Sequence, residues 1–353
     1  MRKGKRLIAW IMAVVMLFTI CVFGGNGTAE AAATTPVAKH GRLSVKGADL
    51  VDSKGNKFQL RGISTHGINW DVGSPYVNKK AFKTLRDDWG VNAIRLAMYT
   101  EEYNGYCSGG SQAKLRKLVD KGVGYATDLG MYAIIDWHIL SDGNPNKNKS
   151  QAKKFFTTMA KKYKNNKNVI YEICNEPNGC SWKEIKSYAT DIIKTIRKYD
   201  KKAVIIVGTP TWSQLGTDGT SNEVADSPIK GYKNIMYFLH FYASEWAHNE
   251  YLPAKVAYAR KKKLPIIVSE FGLSPASGDG AINKASADKW MKLLNKYNIS
   301  YFCWSLSNKN ESASLLKPST KKTSGWKSGD LSTAGKYIKK KYLARKKALG
   351  KKA

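Results

Sequence analysis

Eight short apolar runs alternate with longer helical patterns through most of this sequence. The runs are rich in β-branched or aromatic residues and cover residues 58–64, 93–99, 132–138, 169–175, 203–208, 235–242, 266–270 and 301–307. Between them, Leu, Ile, Val and Ala recur every three or four residues at 112–129, 152–163, 182–199, 254–262 and 285–297. Alternation of this kind is typical of parallel β-sheets. Eight repeats predict an α/β fold, a single (β/α)8 TIM barrel.

The two ends of the chain differ in composition from this alternating region. Residues 2–6 hold four bases, residues 7–23 are uncharged and residues 29–33 are mostly small, so residues 1–33 are predicted to be a secretory signal peptide. The uncharged run is slightly long for a signal and slightly short for a membrane span, so an uncleaved anchor is the alternative. We expect a short lead at 34–41, the barrel at 42–342 with a hairpin at 42–57, and a basic, solvated tail at 343–353.

The chain is strongly basic. It has 59 Lys and Arg against 27 Asp and Glu, a formal net charge of +32, while a hydrophobic content of 42% is enough to build a core and rules out a wholly disordered chain. Such a charge predicts attraction to an anionic cell wall or membrane surface. Because the bases are spread along the helices and no recognition motif is present, nucleic acid is not an expected partner.

Cysteine spacing gives no sign of a metal centre. Cys107, Cys174, Cys180 and Cys303 lack the close paired spacing of a zinc site, so no metal and no cofactor are predicted. Two of them, Cys174 and Cys303, lie in apolar runs, where cysteine is usually a small buried hydrophobe. The other two lie in polar loops, and whether they pair in an exported protein is left open.

Polar side chains gather where the predicted strands end, which is where a TIM barrel builds its active site. They are His66 after the first strand, Arg95 and Tyr99 on the second, Asp136 and His138 on the third, Asn175 and Glu176 after the fourth, His240 and Tyr242 on the sixth, Glu270 on the seventh and Trp304 on the eighth. Any one of them could be structural. Together, so many charged and imidazole groups would be costly to bury without a function.

Two glutamates stand out because each directly follows a strongly apolar strand. Glu176 ends the fourth run and Glu270 ends the seventh. Glycoside hydrolysis needs such a pair, one carboxylic acid to protonate the leaving oxygen and one carboxylate to attack the anomeric carbon. Glu172, inside the fourth run, is expected to be structural, and His138 is expected to point toward the mouth better than Asp136.

Eight motifs, in order along the chain from residue 42 to about 331, resemble the bacterial endoglucanases of glycoside hydrolase family 5. They are RLAMYT at 95–100, IIDWHILSD at 134–142, VIYEI at 169–173, NEPNG at 175–179, TWSQ at 211–214, HFYA at 240–243, VSE at 268–270 and WSL at 304–306. The sequence departs from many relatives at Phe271, where Trp is common, and at Leu239, where Phe is common. The first departure bears on local packing rather than on catalysis.

The resemblance implies a secreted, retaining endo-β-1,4-glucanase that cleaves internal bonds of cellulose and related β-glucans by double displacement. It implies Glu176 as general acid/base and Glu270 as nucleophile. Supporting roles fall to Asn175 at the sugar 2-hydroxyl, to Arg95 and Tyr242 as partners that hold Glu270 ionised, and to His138 and His240 lining the site. Trp304 is implied as a sugar platform, and the further substrate contacts are His66, Trp70, Tyr99, Trp212, Lys309 and Glu311.

Other functions on the same framework stay open at this point. A β-mannanase or a mixed-linkage β-glucanase would use the same pair of glutamates, and the sequence does not decide between these glycans. A protein that mainly binds anionic surfaces is a further alternative, although a pseudoenzyme would be expected to lack one of the glutamates. We expect a β-glucan substrate, a monomer, and retention of the exported protein at the cell surface.

Overall fold

The computed structural model describes residues 34–350, and the predicted signal peptide lies outside them. A short helix α1 (Pro36–His40) leads into a two-stranded antiparallel hairpin of β1 (Ser44–Lys46) and β2 (Asp49–Val51). Eight parallel strands then close into a barrel: β3 (Arg61–Thr65), β4 (Ala93–Tyr99), β5 (Tyr132–His138), β6 (Val169–Glu172), β7 (Ile205–Val207), β8 (Ile235–Tyr242), β9 (Ile266–Gly272) and β10 (Tyr301–Leu306). The predicted single (β/α)8 barrel is confirmed.

Helices connect the strands around the outside of the barrel. They are α2 (Lys79–Trp89), α3 (Gln112–Asp128), α4 (Lys149–Tyr163), α5 (Trp182–Arg197), α6 (Pro210–Ser213), α7 (Glu223–Asp226), α8 (Trp246–Lys261), α9 (Lys284–Lys296) and α10 (Thr333–Gly350). Two 3-10 turns, Ser74–Tyr76 and Ser328–Asp330, lie in the loops after β3 and β10. Within residues 34–350, no helix combines the length and the apolar character needed to cross a membrane.

The helix ends are set by local chemistry. The α5 helix starts at a reciprocal capping box, in which the Ser181 side chain accepts from the Glu184 backbone and Glu184 accepts from the Ser181 backbone. Gly90 ends α2 with a left-handed φ of 75°, a conformation that glycine adopts without strain. These caps fix where each connecting loop begins and therefore how the strand ends are presented.

The connection after β7 differs from the long helices that follow most other strands. Two short helices, α6 and α7, replace it, and the residues around α6 have positive φ at Thr211, Trp212, Ser213 and Leu215. Positive φ values are incompatible with a continuing right-handed helix. The segment therefore forms a loop over the barrel mouth.

The interior of the barrel is divided into two levels. Its lower part is filled by a buried apolar cluster that includes Ile134, Ile170, Phe238 and Phe302. Gly62 makes room for this cluster, since a Cβ there would lie 1.9 Å from Cδ1 of Phe302. The upper level carries polar side chains instead, and this division places the chemistry at the carboxyl ends of the strands.

The C-terminal region is helical where a solvated tail was predicted at 343–353, and most of residues 343–350 are exposed. The α10 helix continues through Gly350, and its Tyr337, Ile338 and Tyr342 are buried. The Tyr342 hydroxyl donates to the Gly62 carbonyl (2.8 Å), and Arg345 Nε donates to Gln59 Oε1 (2.8 Å). The buried residues all precede residue 343, so the first part of the helix packs onto the barrel and belongs to the predicted barrel domain.

The four cysteines among residues 34–350 are all free thiols. Cys174 and Cys303 are buried, as their apolar surroundings predicted, while Cys107 and Cys180 are half-buried. The pairing of Cys107 with Cys180 that the sequence left open is not formed. Burial raises the pKa of the Cys180 thiol to about 11, which keeps it protonated and unreactive at neutral pH.

Candidate active site

Arg95, on β4, lies at the centre of the polar level of the barrel. Its Nη2 and Nε donate to Glu172 on β6 (2.6 and 3.2 Å), and its Nη1 donates to Glu270 Oε2 on β9 (2.8 Å). Asp136 on β5 lies 3.1 Å from Nη2. Burial opposes the guanidinium charge, but these three carboxylates raise the pKa of Arg95 well above its usual value. Arg95 is therefore a permanent cation that links three strands.

Glu270 ends the apolar part of β9 and is held by two donors. Besides Arg95, the Tyr242 hydroxyl on β8 donates to Glu270 Oε1 (2.7 Å). Burial and the Glu270 charge raise the pKa of Tyr242 well above its usual value, so the phenol keeps its proton. With a cation on one oxygen and a hydroxyl on the other, both oxygens of Glu270 are held in fixed positions.

Glu176 follows β6 and lies in a different environment. Its side chain is 13% exposed, and Oε1 lies 2.8 Å from His240 Nδ1. Burial, with a smaller contribution from Glu172, raises the pKa of Glu176 to about 8 against the lowering effect of Arg95. Glu176 is therefore protonated at neutral pH.

His240 connects Glu176 to β9. Its Nε2 lies 2.9 Å from Ser269 Oγ, while its Nδ1 meets Glu176. Burial lowers the pKa of His240 to about 4, so the imidazole is neutral at neutral pH. A neutral ring has one N–H and one acceptor nitrogen, and the serine hydroxyl can serve either tautomer. His240 can therefore stay bonded to Glu176 whether that carboxyl carries a proton or not.

His138 orients the Asn175 amide. Its Nδ1 lies 2.6 Å from Asp136 Oδ2, and its Nε2 lies 3.2 Å from Asn175 Nδ2. Burial, together with the Arg95 charge, lowers the pKa of His138 to about 3, and burial raises that of Asp136 to about 8. Asn175 Oδ1 also accepts from Arg95 Nη2 (2.6 Å), so the amide that precedes Glu176 is fixed on both sides.

An aromatic cluster borders these polar groups. The Trp304 ring stacks on His138 with centroids 5.3 Å apart, and the His66 ring lies 5.1 Å from Trp304. Tyr99 contacts His138 at 4.1 Å and Trp70 at 4.6 Å. The sequence assigned all five to one site, and the structure brings them together. Flat faces of this kind fit the C–H faces of sugar rings.

Two charged residues border the aromatic cluster. Glu311 Oε1 lies 3.7 Å from His66 Nε2, and Glu311 Oε2 lies 2.6 Å from Lys309 Nζ. Burial, with a smaller contribution from the Lys309 charge, lowers the pKa of His66 to about 3, so its ring is neutral. The Lys309 side chain is 47% exposed, which leaves its ammonium accessible at the rim.

Trp212 stands apart from this cluster, on the loop after β7. It is 45% exposed, and its backbone N–H donates to the Pro177 carbonyl next to Glu176 (3.0 Å). Ser213 Oγ donates to the Asn175 carbonyl (2.7 Å), and the buried Lys255 on α8 donates to the Gln214 carbonyl (3.1 Å). These bonds fix the Trp212 loop against the segment that carries Glu176.

Sequence reasoning noted Asp136 and Glu172 but did not predict that they position Arg95. Asp136 and Glu172 are adjacent in the β5–β6 register, and both are fully buried beside Arg95. Ser269 holds the far nitrogen of His240. The available signal was that Arg95, Asp136 and Glu172 lie inside otherwise apolar runs of three neighbouring strands. Charged residues in such runs share one level of the barrel and can pair there. The Ser269 contact had no such signal.

Among residues 34–350, one set of donor atoms is close enough to hold a metal ion, and it comprises Glu176, His240 and Glu270, all within 4.8 Å of one another. Carboxyl groups of glycoside hydrolases that retain configuration lie about 5–5.5 Å apart, whereas inverting enzymes separate them by about 6.5–9.5 Å. Two carboxylates at this spacing need no metal for hydrolysis. A (β/α)8 barrel with such a pair at its mouth has the arrangement of a glycoside hydrolase.

Comparison with known proteins narrows this class. Residues 51–310 match the family model Cellulase (glycosyl hydrolase family 5). An endoglucanase of Clostridium saccharobutylicum is 47% identical over 95% of this chain and 72% of its own length. Endoglucanase 5 of Pectobacterium carotovorum is 44% identical over 92% of this chain, which spans 62% of that relative. On these matches, the chain belongs to glycosyl hydrolase family 5.

Solved structures agree with this placement. The catalytic domain of Thermobifida fusca endoglucanase Cel5A, in complex with cellotetraose, is 37% identical to this chain and superposes with a TM-score of 0.81. The match covers 88% of this chain and 99% of that domain. The chain is therefore a glycoside hydrolase with the barrel of its family.

Proposed function

We propose that this protein is an endo-β-1,4-glucanase that hydrolyses internal bonds of cellulose and related β-glucans with retention of configuration. One observation carries the proposal: Glu176 and Glu270 have donor oxygens within 4.8 Å of each other but opposite surroundings. The relatives named as endoglucanases, and the cellotetraose complex of a similar domain, support a β-glucan as substrate.

In the first step, the Glu270 carboxylate attacks the anomeric carbon while Glu176 gives its proton to the leaving glycosidic oxygen. The raised pKa of Glu176, about 8, supports this assignment because the acid must carry a proton at neutral pH. In the second step, the ionised Glu176 takes a proton from water, and that water releases the sugar from Glu270. Two inversions return the original configuration.

The surrounding residues act on these two carboxyls. Arg95 and Tyr242 orient Glu270 and stabilise its charge, as their bonds to its two oxygens suggest. His240 supports Glu176 in both of its protonation states. Asn175 is proposed to meet the sugar 2-hydroxyl, although in the free protein its amide nitrogen bonds His138 and the Ile139 carbonyl (3.0 Å).

The aromatic residues are proposed to bind successive sugar rings. Trp304 would form the platform under the sugar that is attacked, with His66, Trp70 and Tyr99 beside it. Trp212, whose backbone bonds the Pro177 segment next to the acid, is proposed to meet the sugar on the leaving side. We also propose that Lys309 and Glu311 bind sugar hydroxyls, that the protein is exported by its leader, and that it acts as a monomer.

Product analysis tests the proposal. Neutral soluble hydroxyethylcellulose, lichenan and mannan should be compared, with rapid loss of viscosity on the β-1,4-glucan as the expected endo-acting result. Preferred cleavage of mannan, or of mixed-linkage glucan alone, would assign the protein to one of the two alternative specificities instead.

Two variants test the roles of the glutamates. Glu270→Gln should abolish hydrolysis of every substrate. Glu176→Ala should still cleave an aryl glycoside with an activated leaving group, because that first step needs no proton. NMR should show the β-anomer as the first product from a β-glucan. An α-anomer would overturn double displacement.

A further inference from the structure

The basic residues of this protein are distributed unevenly between the two ends of the barrel. Seven of the eight loops that follow strands, at residues 66–78, 100–111, 139–148, 173–181, 208–222, 243–245 and 273–283, together hold eight acidic residues and one basic residue. The segments that precede strands at the opposite end, 41–60, 164–168, 198–204, 227–234 and 262–265, hold thirteen basic and three acidic residues. The eighth loop, residues 307–332, adds five basic and two acidic residues, so the loops at the mouth hold ten acidic and six basic residues in all. The mouth is therefore weakly acidic, and the opposite end, the basal end, is strongly positive.

A concave site lies within this basal end. A cavity of about 570 Å³ is lined by five basic residues, which we name the basic cluster: Arg42, Lys164, Lys167, Lys201 and Lys202. Arg42 comes from the segment before β1, the next two from the segment before β6, and the last two from the segment before β7. Residues distant in sequence thus converge on one cavity.

The lysines of the basic cluster are available to a ligand. All four are exposed, and none has a carboxylate within 4.0 Å among the residues that the structure describes. Asp200, the acidic residue in the cavity, is buried, and its Oδ1 accepts from the backbone of Lys202 (3.1 Å) and Ala203 (2.9 Å). Four unpaired ammonium groups around one concavity leave a local excess of positive charge.

Hydrogen bonds hold the segments of the basal end together. Arg42 Nη2 donates to the Lys164 carbonyl (3.3 Å), and Asn234 Nδ2 donates to the Lys202 carbonyl (2.9 Å). Asn234 Oδ1 in turn accepts from the Val45 backbone in β1 (2.9 Å). The hairpin and the segments before β6, β7 and β8 therefore form one surface, and the backbone positions that carry the lysines keep a fixed spacing.

We propose that the basal end, centred on the basic cluster, binds a flexible phosphate-bearing polymer. Ammonium groups pair with phosphate as point charges without needing the planar geometry of a carboxylate clamp. A chain of phosphates can enter a concavity, whereas a flat bilayer reaches only its rim. Within residues 34–350, the large apolar side chains that are exposed belong to Tyr103, Trp212, Trp246, Tyr251 and Leu343, none of which lines the cavity to insert into lipid.

This site goes beyond the proposed hydrolysis and assigns the attraction to anionic surfaces, predicted from the net charge, to one end of the barrel. Polymer and glucan bind at opposite ends of the barrel, so the bound enzyme keeps its mouth turned away from the polyanion. Binding is electrostatic and releases counterions from the polymer. Because this release is less favourable at higher salt concentration, added salt weakens binding. Hydrolysis of a neutral glucan does not depend on it.

Two variants with the same net charge test the site on the full chain. The first, K164Q/K167Q/K201Q/K202Q, removes the four lysines of the basic cluster. The matched control, K114Q/K117Q/K121Q/K154Q, removes four exposed lysines from α3 and α4 on the side of the barrel. Circular dichroism melting should show both variants folded like the wild type.

Binding to fluorescently labelled long-chain polyphosphate should be followed by anisotropy over a salt series. The first variant should lose about tenfold or more in affinity at 0.1 M salt, and its log–log salt slope should be shallower by about 3, since each phosphate contact contributes nearly one unit. The control should stay within about twofold of wild type. Equal losses in both variants, or no loss in the first, would show that net charge and not this site binds the polymer.

Three further readouts test the partner class and the orientation. Binding to phosphatidylglycerol vesicles should depend less on the basic cluster than binding to polyphosphate does. The reverse order would make the partner a membrane. A DNA oligonucleotide of equal charge that binds more than tenfold tighter than polyphosphate would make it a nucleic acid. If polyphosphate inhibits hydrolysis of neutral soluble glucan competitively, the polymer lies at the mouth and the basal assignment is wrong.

Discussion

Replacing Glu176 with Gln should stabilise this protein while removing its general acid. Burial raises the pKa of the Glu176 carboxyl from 4.5 to about 8. Because Gln has the shape of the protonated acid and carries no charge, the substitution removes the ionised form that burial disfavours. The prediction therefore links loss of activity to a gain in stability at one side chain.

The size and sign of the effect follow from proton linkage. The pKa of Glu176 is higher in the folded chain than in the unfolded chain, so its contribution to stability is full below pH 4.5 and is lost as the pH rises toward 8. One pKa unit corresponds to about 1.4 kcal/mol. Between pH 4.5 and pH 7 the wild type loses roughly 3 kcal/mol of unfolding free energy through Glu176. The Gln variant has no ionisable group at this position and does not lose it.

Urea unfolding at pH 5 and pH 7 measures the difference. The stability gained by Glu176→Gln over wild type should grow by about 2–3 kcal/mol between these pH values. Glu250 is exposed, and Glu250→Gln is the matched control, expected to stay within about 0.5 kcal/mol of wild type at both pH values. A gain that does not change with pH, or a variant less stable than wild type at pH 7, would refute the reasoning.

Three further substitutions and two truncations test other parts of the structure. Arg95→Lys should abolish measurable turnover and lower the free energy of unfolding by about 3–5 kcal/mol. The reason is that the point charge of an ammonium group does not replace the planar guanidinium among buried carboxylates. A wild-type kcat would contradict this. Trp304→Ala should lower kcat/KM on soluble β-glucan about tenfold or more, and the half-exposed Trp212→Ala should lower it less. The opposite order would misplace the sugar platform. Truncation after Lys336 should prevent folding because it removes the buried stripe of α10, whereas truncation after Lys346 should leave a cooperative circular dichroism melt.

The sequence predicted the fold well where hydrophobicity and hydrogen bonding coincide. The bounds of β4, β5 and β8 match the predicted runs because each whole run is paired in the barrel. The fourth run was predicted to reach Asn175, but the β6 ladder stops at Glu172. Beyond it, the Asn175 backbone donates to the Trp137 carbonyl (3.2 Å) in a contact that periodicity does not encode.

The site was predictable to the level of which residues end which strands. Glu176 and Glu270 stood out because a carboxylate after an apolar run is unusual. The partners of these groups were less accessible, since they depend on register and on side-chain rotamers. Arg95 was expected to serve Glu270, yet its Nη2 bond to Glu172 (2.6 Å) is shorter than its bond to Glu270 (2.8 Å). The charge difference between the two barrel ends also stayed hidden, because the bases look evenly spread until the loops are sorted by end.

The bond between Tyr342 and Gly62 sets the order in which the chain can complete its fold. It joins residues 280 positions apart, and the pairing of β10 with β3 likewise joins the end of the barrel to its start. Contacts between such distant residues form late, because a long loop must close first. During synthesis, the barrel therefore stays open until almost every residue has left the ribosome. An unclosed barrel leaves the facing edges of β3 and β9 unpaired, so the incomplete chain exposes two strand edges until β10 joins them.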